Sequence, residues 1–247
     1  GMQFFRKCLA IPKPDVFKFL QLKILPRIIE LMLKRDADND FCMDAVWILT
    51  NIASSNKKQG SDEIIKANGL QALFALFEKS NDLEVKAQCL WTLSNISQDT
   101  QENRNKIIAT GIYPKIIDFY YQVGFDIANS DLLLTVVWSL TNLHSVKYNP
   151  LNNAQSSHAL TVFKTMFFHV NDSIKLEALK GLCAISEQKN FVVLLVNLIP
   201  DLVSIIDGSN KLHMKEALRI VGNIAYSNEA SHLMQSTLMD SLKKLLG

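Results

Sequence analysis

One stretch constrains the fold more than any other. Ala45-Val46-Trp47-Ile48-Leu49-Thr50-Asn51-Ile52-Ala53 returns four times along the chain. It recurs as Cys89-Leu90-Trp91-Thr92-Leu93-Ser94-Asn95-Ile96 and as Val136-Val137-Trp138-Ser139-Leu140-Thr141-Asn142-Leu143. Fainter copies are Ala178-Leu179-Lys180-Gly181-Leu182-Cys183-Ala184-Ile185 and Ala217-Leu218-Arg219-Ile220-Val221-Gly222-Asn223-Ile224. Positions 47, 91, 138, 180 and 219 are thus equivalent, a period of about 42 residues, which is the length of a helical solenoid repeat. Such a unit cannot bury its apolar face alone. It stacks on its neighbours, and the predicted architecture is one continuous array without a central core.

Composition agrees. Hydrophobic residues make up 48% of the chain, and 9 Gly and 6 Pro in 247 residues leave few helix breakers. Lys plus Arg number 26 against 24 Asp plus Glu, so the +2 balance supplies no electrostatic footprint for nucleic acid. Cys8, Cys42, Cys89 and Cys183 lie far apart with no C-x-x-C and no paired His. They read as buried thiols in a reducing compartment, not as metal ligands or disulfide partners. The most apolar run, Phe191 to Ile199, is too short to span a bilayer, and no signal peptide precedes the first repeat. A soluble intracellular protein without membrane, nucleic acid, metal or cofactor is expected.

Each unit reads as a short, a medium and a long helix. A partial repeat (1–14) ends at Ile11-Pro12-Lys13-Pro14, where a helix cannot continue. Repeats follow at about 15–55, 61–99, 102–147, 152–187 and 189–228, with a partial one at 229–247. Asp15 is the expected N-cap of a short helix, Pro26 sits in the first turn of the next, and Asp40 to Ser54 form the long one. Asn68-Gly69 and Gly111 supply left-handed stops. The stretch 152–158 is polar and leaves the first helix of its repeat undefined, ahead of a helix expected from Ala159 to Val170.

Within the long helices, positions 45, 46, 49 and 52 and their equivalents form an apolar stripe that faces the interior. A second stripe carries Asp44, Trp47 and Asn51, then Gln88, Trp91 and Asn95, then Thr135, Trp138 and Asn142. Leaving a buried polar side chain unbonded costs about 1–3 kcal/mol, so this stripe is expected to face solvent. A lone Trp is usually core. Three in one register, each with Asn one turn on, point to a binding surface. Carboxamides offer a donor and an acceptor to the backbone of an extended peptide. Flat-walled slots between successive indoles would take long side chains with cationic tips. A Lys/Arg-rich extended ligand follows.

These residues resemble importin-α, the armadillo-repeat adaptor of nuclear import. The resemblance covers nearly the whole chain. It runs from Phe5-Arg6-Lys7-Cys8-Leu9 and Leu25-Pro26-Arg27 through the three Trp-x-x-x-Asn motifs to Ala217–Ile224, where Arg219 and Asn223 look like the family repeat with Arg in place of Trp. It implies an all-α, armadillo-repeat, right-handed superhelical solenoid of three-helix units, present in cytoplasm and nucleus. It implies that Trp47, Trp91 and Trp138 wall lysine slots and that Asn51, Asn95 and Asn142 hold the backbone of a nuclear localisation signal in a cargo protein. Asp99 matches the family carboxylate that pairs with the critical lysine, and four-residue spacing from Asn95 also puts it at the groove; Gln88 matches a further polar contact. Importin-β would be a partner only of a longer chain carrying the family's Arg-rich N-terminal segment. The sequence departs from the family at Lys180 and Ala184, and acidic groove residues beyond Asp44 and Asp99 are few. A divergent armadillo scaffold for another extended peptide is therefore the alternative. Five His without His-x-x-x-His, a nucleophile motif or a Gly-rich phosphate loop argue against an enzyme.

Overall fold

A computed structural model describes residues 1–11, 14–55, 57–234 and 237–246. The expected break at Pro12-Lys13, and residues 235, 236 and 247 of the partial repeat expected over 229–247, lie outside the described residues. Among the described residues there is no strand. The chain divides into two compact units, 1–143 and 144–247.

The first unit holds α1 (Met2–Leu9), α2 (Val16–Gln21), α3 (Leu25–Lys34), α4 (Asn39–Ser55), α5 (Lys57–Lys66), α6 (Gly69–Lys79), α7 (Leu83–Ser97), α8 (Gln101–Ala109), α9 (Ile112–Val123) and α10 (Ser130–Leu143). A single 3-10 turn, Ile127–Asn129, interrupts the long loop before α10. The long helices stack in series: α1 on α4, α4 on α7, α7 on α10. Their shared interface is the apolar stripe, with Ala45, Val46, Leu49, Ile52, Leu90, Leu93, Ile96, Val137, Leu140 and Leu143 all buried.

What sets the rotation of these helices is a recurring cap. Asp38 accepts a hydrogen bond from Phe41 N–H (3.0 Å), and Asp82 accepts from Glu84 N–H (2.8 Å) and Val85 N–H (3.2 Å). Each lies nine residues before its Trp, and Asn171 and Asn210 stand at the same distance before Lys180 and Arg219. Asn171 accepts from Ser173 N–H (2.9 Å) and Asn210 from Leu212 N–H (3.1 Å). Capping satisfies donors that the first helical turn leaves over. The cap therefore fixes where each helix starts, and with it which side the indole faces.

Between helices the turns are left-handed. Asn68 itself adopts φ 59°, while Gly69, expected to share that role, is needed for space: a Cβ there would meet the Ile64 carbonyl oxygen at 2.8 Å. Gly111 has φ 87°, as its position between two helices requires.

The second unit holds α11 (Asn153–Met166), α12 (Asp172–Ser186), α13 (Lys189–Val192), a 3-10 segment (Val193–Leu198), α14 (Ile199–Ile206), α15 (Lys211–Ala225), α16 (Ala230–Met234) and α17 (Leu238–Leu246). Here the polar stretch 152–158 is helical from Asn153 on, so the helix expected from Ala159 starts six residues earlier. Asn152 and Gln155 form a reciprocal capping box, and the helix runs straight through. By length and mean hydropathy (18 residues, 1.8), Lys189–Ile206 would pass as a membrane span, a longer segment than the apolar run singled out from sequence. Its Phe191, Leu195, Leu198, Leu202 and Ile206 are instead buried in this unit's core, where α14 meets α15. Cys42, Cys89 and Cys183 are buried, and burial pushes the Cys42 and Cys183 thiols up to about 11 and the Cys89 thiol higher still. Cys8, expected buried, is exposed on α1.

Candidate functional site

Three consecutive helices of the first unit, α4, α7 and α10, carry Trp47, Trp91 and Trp138. Trp47 is 40% exposed and Trp91 46%; Trp138 is half-buried. The large apolar residues next to them in sequence, Ile48, Leu90 and Val137, are buried, so the exposure of the indoles follows from helix rotation and not from loose local structure. Asn51, Asn95 and Asn142 stand one turn on, each half-buried. The Nδ2 atoms of Asn51 and Asn142 are enclosed by protein atoms, so these carboxamides present less than their full donor set to the surface.

The indoles are not evenly spaced slots. Trp91 and Trp138 touch, with ring centroids 5.6 Å apart and planes tilted by 51°. That geometry lies within the attractive range for aromatic pairs. An alkyl chain between two ring faces needs about 7 Å, twice an ordinary carbon contact distance. The slot expected there is closed.

The open stripe is also narrower than the sequence reading supposes. Gln88 and Thr135, each three residues before its Trp, are buried at 9% and 7% exposure. Gln88 Nε2 donates to Thr50 Oγ1 (2.7 Å), and Thr50 Oγ1 in turn lies 2.7 Å from Thr92 Oγ1. These groups form a polar seam between α4 and α7. Gln88 is thereby committed to holding two helices together. Asp44 is paired with Arg6 of α1 at 2.8 Å, an arrangement that offsets one of the two carboxylates expected to face the ligand. Asp99 lies two residues beyond the end of α7 at Ser97, half-buried in the following turn.

Sequence reasoning missed the partners that fix α10 against α7. Gln98 Nε2 donates to the Asn142 carbonyl (3.0 Å), and the buried Arg104 donates to the Leu143 carbonyl (3.4 Å). Both acceptors are carbonyls at the C-terminal end of α10 that the helix itself leaves over. Asn51, Asn95 and Asn142 all fall in the last turns of their helices, and none of those last turns carries a basic residue. The C-terminus of α10 already has a cation in Arg104, and Lys57 and Lys58 follow α4 in sequence, so the α7 C-terminus is the one that adds partial negative charge on the Asn side of the stripe.

The equivalent positions of the second unit are charged. Lys180 Nζ is 2.6 Å from Glu177, and Arg219 is 2.9 Å from Glu216 and 3.9 Å from Glu187. Asn223 Nδ2 donates to Ser186 Oγ (2.7 Å), while Ala184 provides no carboxamide. His169 and His213 serve local structure: His169 Nδ1 accepts from Asn171 N–H (3.0 Å), and His213 Nε2 contacts the Asp172 carbonyl (3.0 Å).

The comparisons with known proteins agree on the architecture. A family model described as Armadillo/beta-catenin-like repeat matches residues 57–98. The chain is similar to "Probable importin subunit alpha-A" of Dictyostelium discoideum, 28% identical over 243 residues that cover 89% of this chain and 42% of that protein. It is similar to importin subunit alpha-1b of Oryza sativa subsp. japonica, 26% identical over 230 residues that cover 91% and 41%. The chain thus spans about two-fifths of the length of these curated relatives. Among solved structures, a designed armadillo repeat protein in complex with the peptide (KR)4 superposes with a TM-score of 0.73 at 22% identity, covering 90% of this chain and 91% of that one. An engineered protein superposes with a TM-score of 0.81 at 19% identity, covering 98% and 58%.

Proposed function

We propose that this chain, an importin-α-like armadillo-repeat protein with an all-α solenoid fold, is a non-enzymatic adaptor that binds extended Lys/Arg-rich peptides of the nuclear-localisation-signal type along α4, α7 and α10. The observation that carries the reading is the pair of exposed indoles, Trp47 and Trp91, each one turn before an Asn near a helix C-terminus. Indole faces take the methylenes and charge of a basic side chain, while carboxamides hold the peptide backbone without reading sequence. The α7 C-terminus and Asp99 supply negative potential that the +2 net charge does not. The resemblance to importin-α and the (KR)4 peptide bound by a structural neighbour support the same ligand class. On this reading the protein works in cytoplasm and nucleus on the signals of cargo proteins. Importin-β is a partner on this reading only if a longer native chain carries the family's Arg-rich N-terminal segment.

A second reading, a divergent scaffold for a different extended peptide, draws on the Arg6–Asp44 pair, which leaves the groove short of free carboxylate. One titration separates them. All three Trp of the chain lie on the proposed surface, so intrinsic fluorescence reports on it. A peptide with five consecutive Lys/Arg should give a saturable change near the micromolar range, about −8 kcal/mol, weakening with salt. Asp99→Lys should abolish the response, and Asp172→Lys, at the start of α12, should not. A flat response from the folded wild type would send the function to another peptide partner; equal affinity of the two variants would remove Asp99 from the site.

A further inference from the structure

The closed Trp91–Trp138 pair bears on which basic residue the site takes. With centroids 5.6 Å apart, no side chain lies between these rings unless one indole swings away. The helices cannot simply part to make room, because Gln98 and the buried Arg104 of the first unit bond to the Asn142 and Leu143 carbonyls at the end of α10. What the pair offers is the outer surface of Trp91, still 46% exposed beside its contact with Trp138.

Lysine and arginine use such a surface differently. A lysine gains most when its methylenes are enclosed on two sides, since its compact ammonium is strongly hydrated and stays in water. On one outer face it loses half of that contact. A guanidinium is planar and weakly hydrated, and it stacks flat on a single aromatic face with no need of a second wall. An indole pair closed on itself is therefore a stacking platform.

Resting on the peptide-binding reading above, we propose that the Trp91–Trp138 pair selects arginine over lysine, so that the preferred ligands of this chain are Arg-rich extended peptides. Two end-capped peptides of equal length and charge, six arginines and six lysines, serve as probes in fluorescence titrations at one salt concentration. The arginine peptide should bind roughly tenfold tighter, within the range of a cation–π gain. Trp91→Ala should bring the ratio of the two affinities toward one, and Trp91→Phe, which keeps an aromatic face, should restore much of it. Trp47→Ala should weaken both peptides while leaving the ratio in place, which a general preference of proteins for arginine would not distinguish from Trp91→Ala. Touching indoles also give a far-ultraviolet exciton couplet in circular dichroism. It should be present in the wild type and in Trp47→Phe, and lost in Trp138→Phe. Equal affinities, tighter binding of the lysine peptide, or a wild type without the couplet would overturn the inference and leave the peptide-binding reading intact. Silence toward both peptides, with the couplet present, would overturn the peptide-binding reading and the arginine preference with it.

Discussion

The two units carry the same helix arrangement under different surfaces. In the first, α4 meets α7 and α7 meets α10; in the second, α12 meets α15 in the same register of the repeat. The apolar stripe is kept in both, with Ile174, Ala178, Leu182 and Ile185 buried on α12 as Leu90, Leu93 and Ile96 are on α7. What changes is the outward row. Trp47, Trp91 and Trp138 give way to Lys180 and Arg219, each neutralised by a Glu three residues earlier, and the carboxamide at 184 is gone. Solenoid stacking is thus specified by the buried stripe and the Asx caps, and binding chemistry is a layer laid over it.

The largest effect should come from making the second unit's interior resemble the first's. The residue after each Trp is buried Ile48, Thr92 or Ser139, but after Lys180 it is Gly181. A Cβ at Gly181 would meet three atoms of the Phe163 ring at 2.4–2.5 Å, and Phe163 is fully buried. Gly181→Thr should therefore destabilise by about 2–3 kcal/mol in denaturant unfolding, as overpacking does. Adding Phe163→Leu should return part of the loss. Unchanged stability of the single variant would mean that the ring moves aside freely.

The polar bonds between long helices should differ by less. Thr50→Val removes the acceptor of buried Gln88 Nε2 and should cost about 1–3 kcal/mol, because no water replaces it. Ser186→Ala removes the acceptor of Asn223, whose side chain is half-exposed and can turn to solvent; the cost should stay near 0.5–1 kcal/mol. Equal losses in thermal or urea unfolding would show the two seams to be equivalent, against the burial difference.

That contrast also marks what a sequence can disclose. The Trp and Asn register, the helical period and the turn at Gly111 are local patterns, and local patterns are legible. Whether Gln88 faces solvent depends on Thr50, 38 residues away in the preceding repeat, and nothing in its own helix says so. The same holds for Asp44 and Arg6. The Asn152–Gln155 capping box was readable in principle, since Asn-x-x-Gln before an apolar run is a helix start. A run of polar residues left that helix undefined, because composition gives no apolar face where spacing indicates a cap. Asp99 is where spacing alone falls silent, since the helix that would carry it on from Asn95 ends at Ser97.

The smallest effect on stability, and the sharpest use of the comparison, is a graft. Lys180→Trp would give α12 the indole of α7, with Ala184, buried at 8% exposure, left in place. The Lys180 side chain is 41% exposed and leaves room toward solvent, although Glu177, only 12% exposed, loses its cation. Those opposing terms should leave stability within about 1 kcal/mol of the wild type, since an exposed ion pair contributes about 0–1 kcal/mol. Binding should respond more. If surface chemistry is separable from the stack, the grafted second unit should gain a contact of its own for basic side chains, read as a saturable change in the fluorescence of the new indole on titration with a basic peptide. The affinity of a five-residue peptide for α4, α7 and α10 should stay unchanged. Unfolding by the graft would show that the charged row of the second unit is part of its architecture, and that the two units differ below the surface as well as on it.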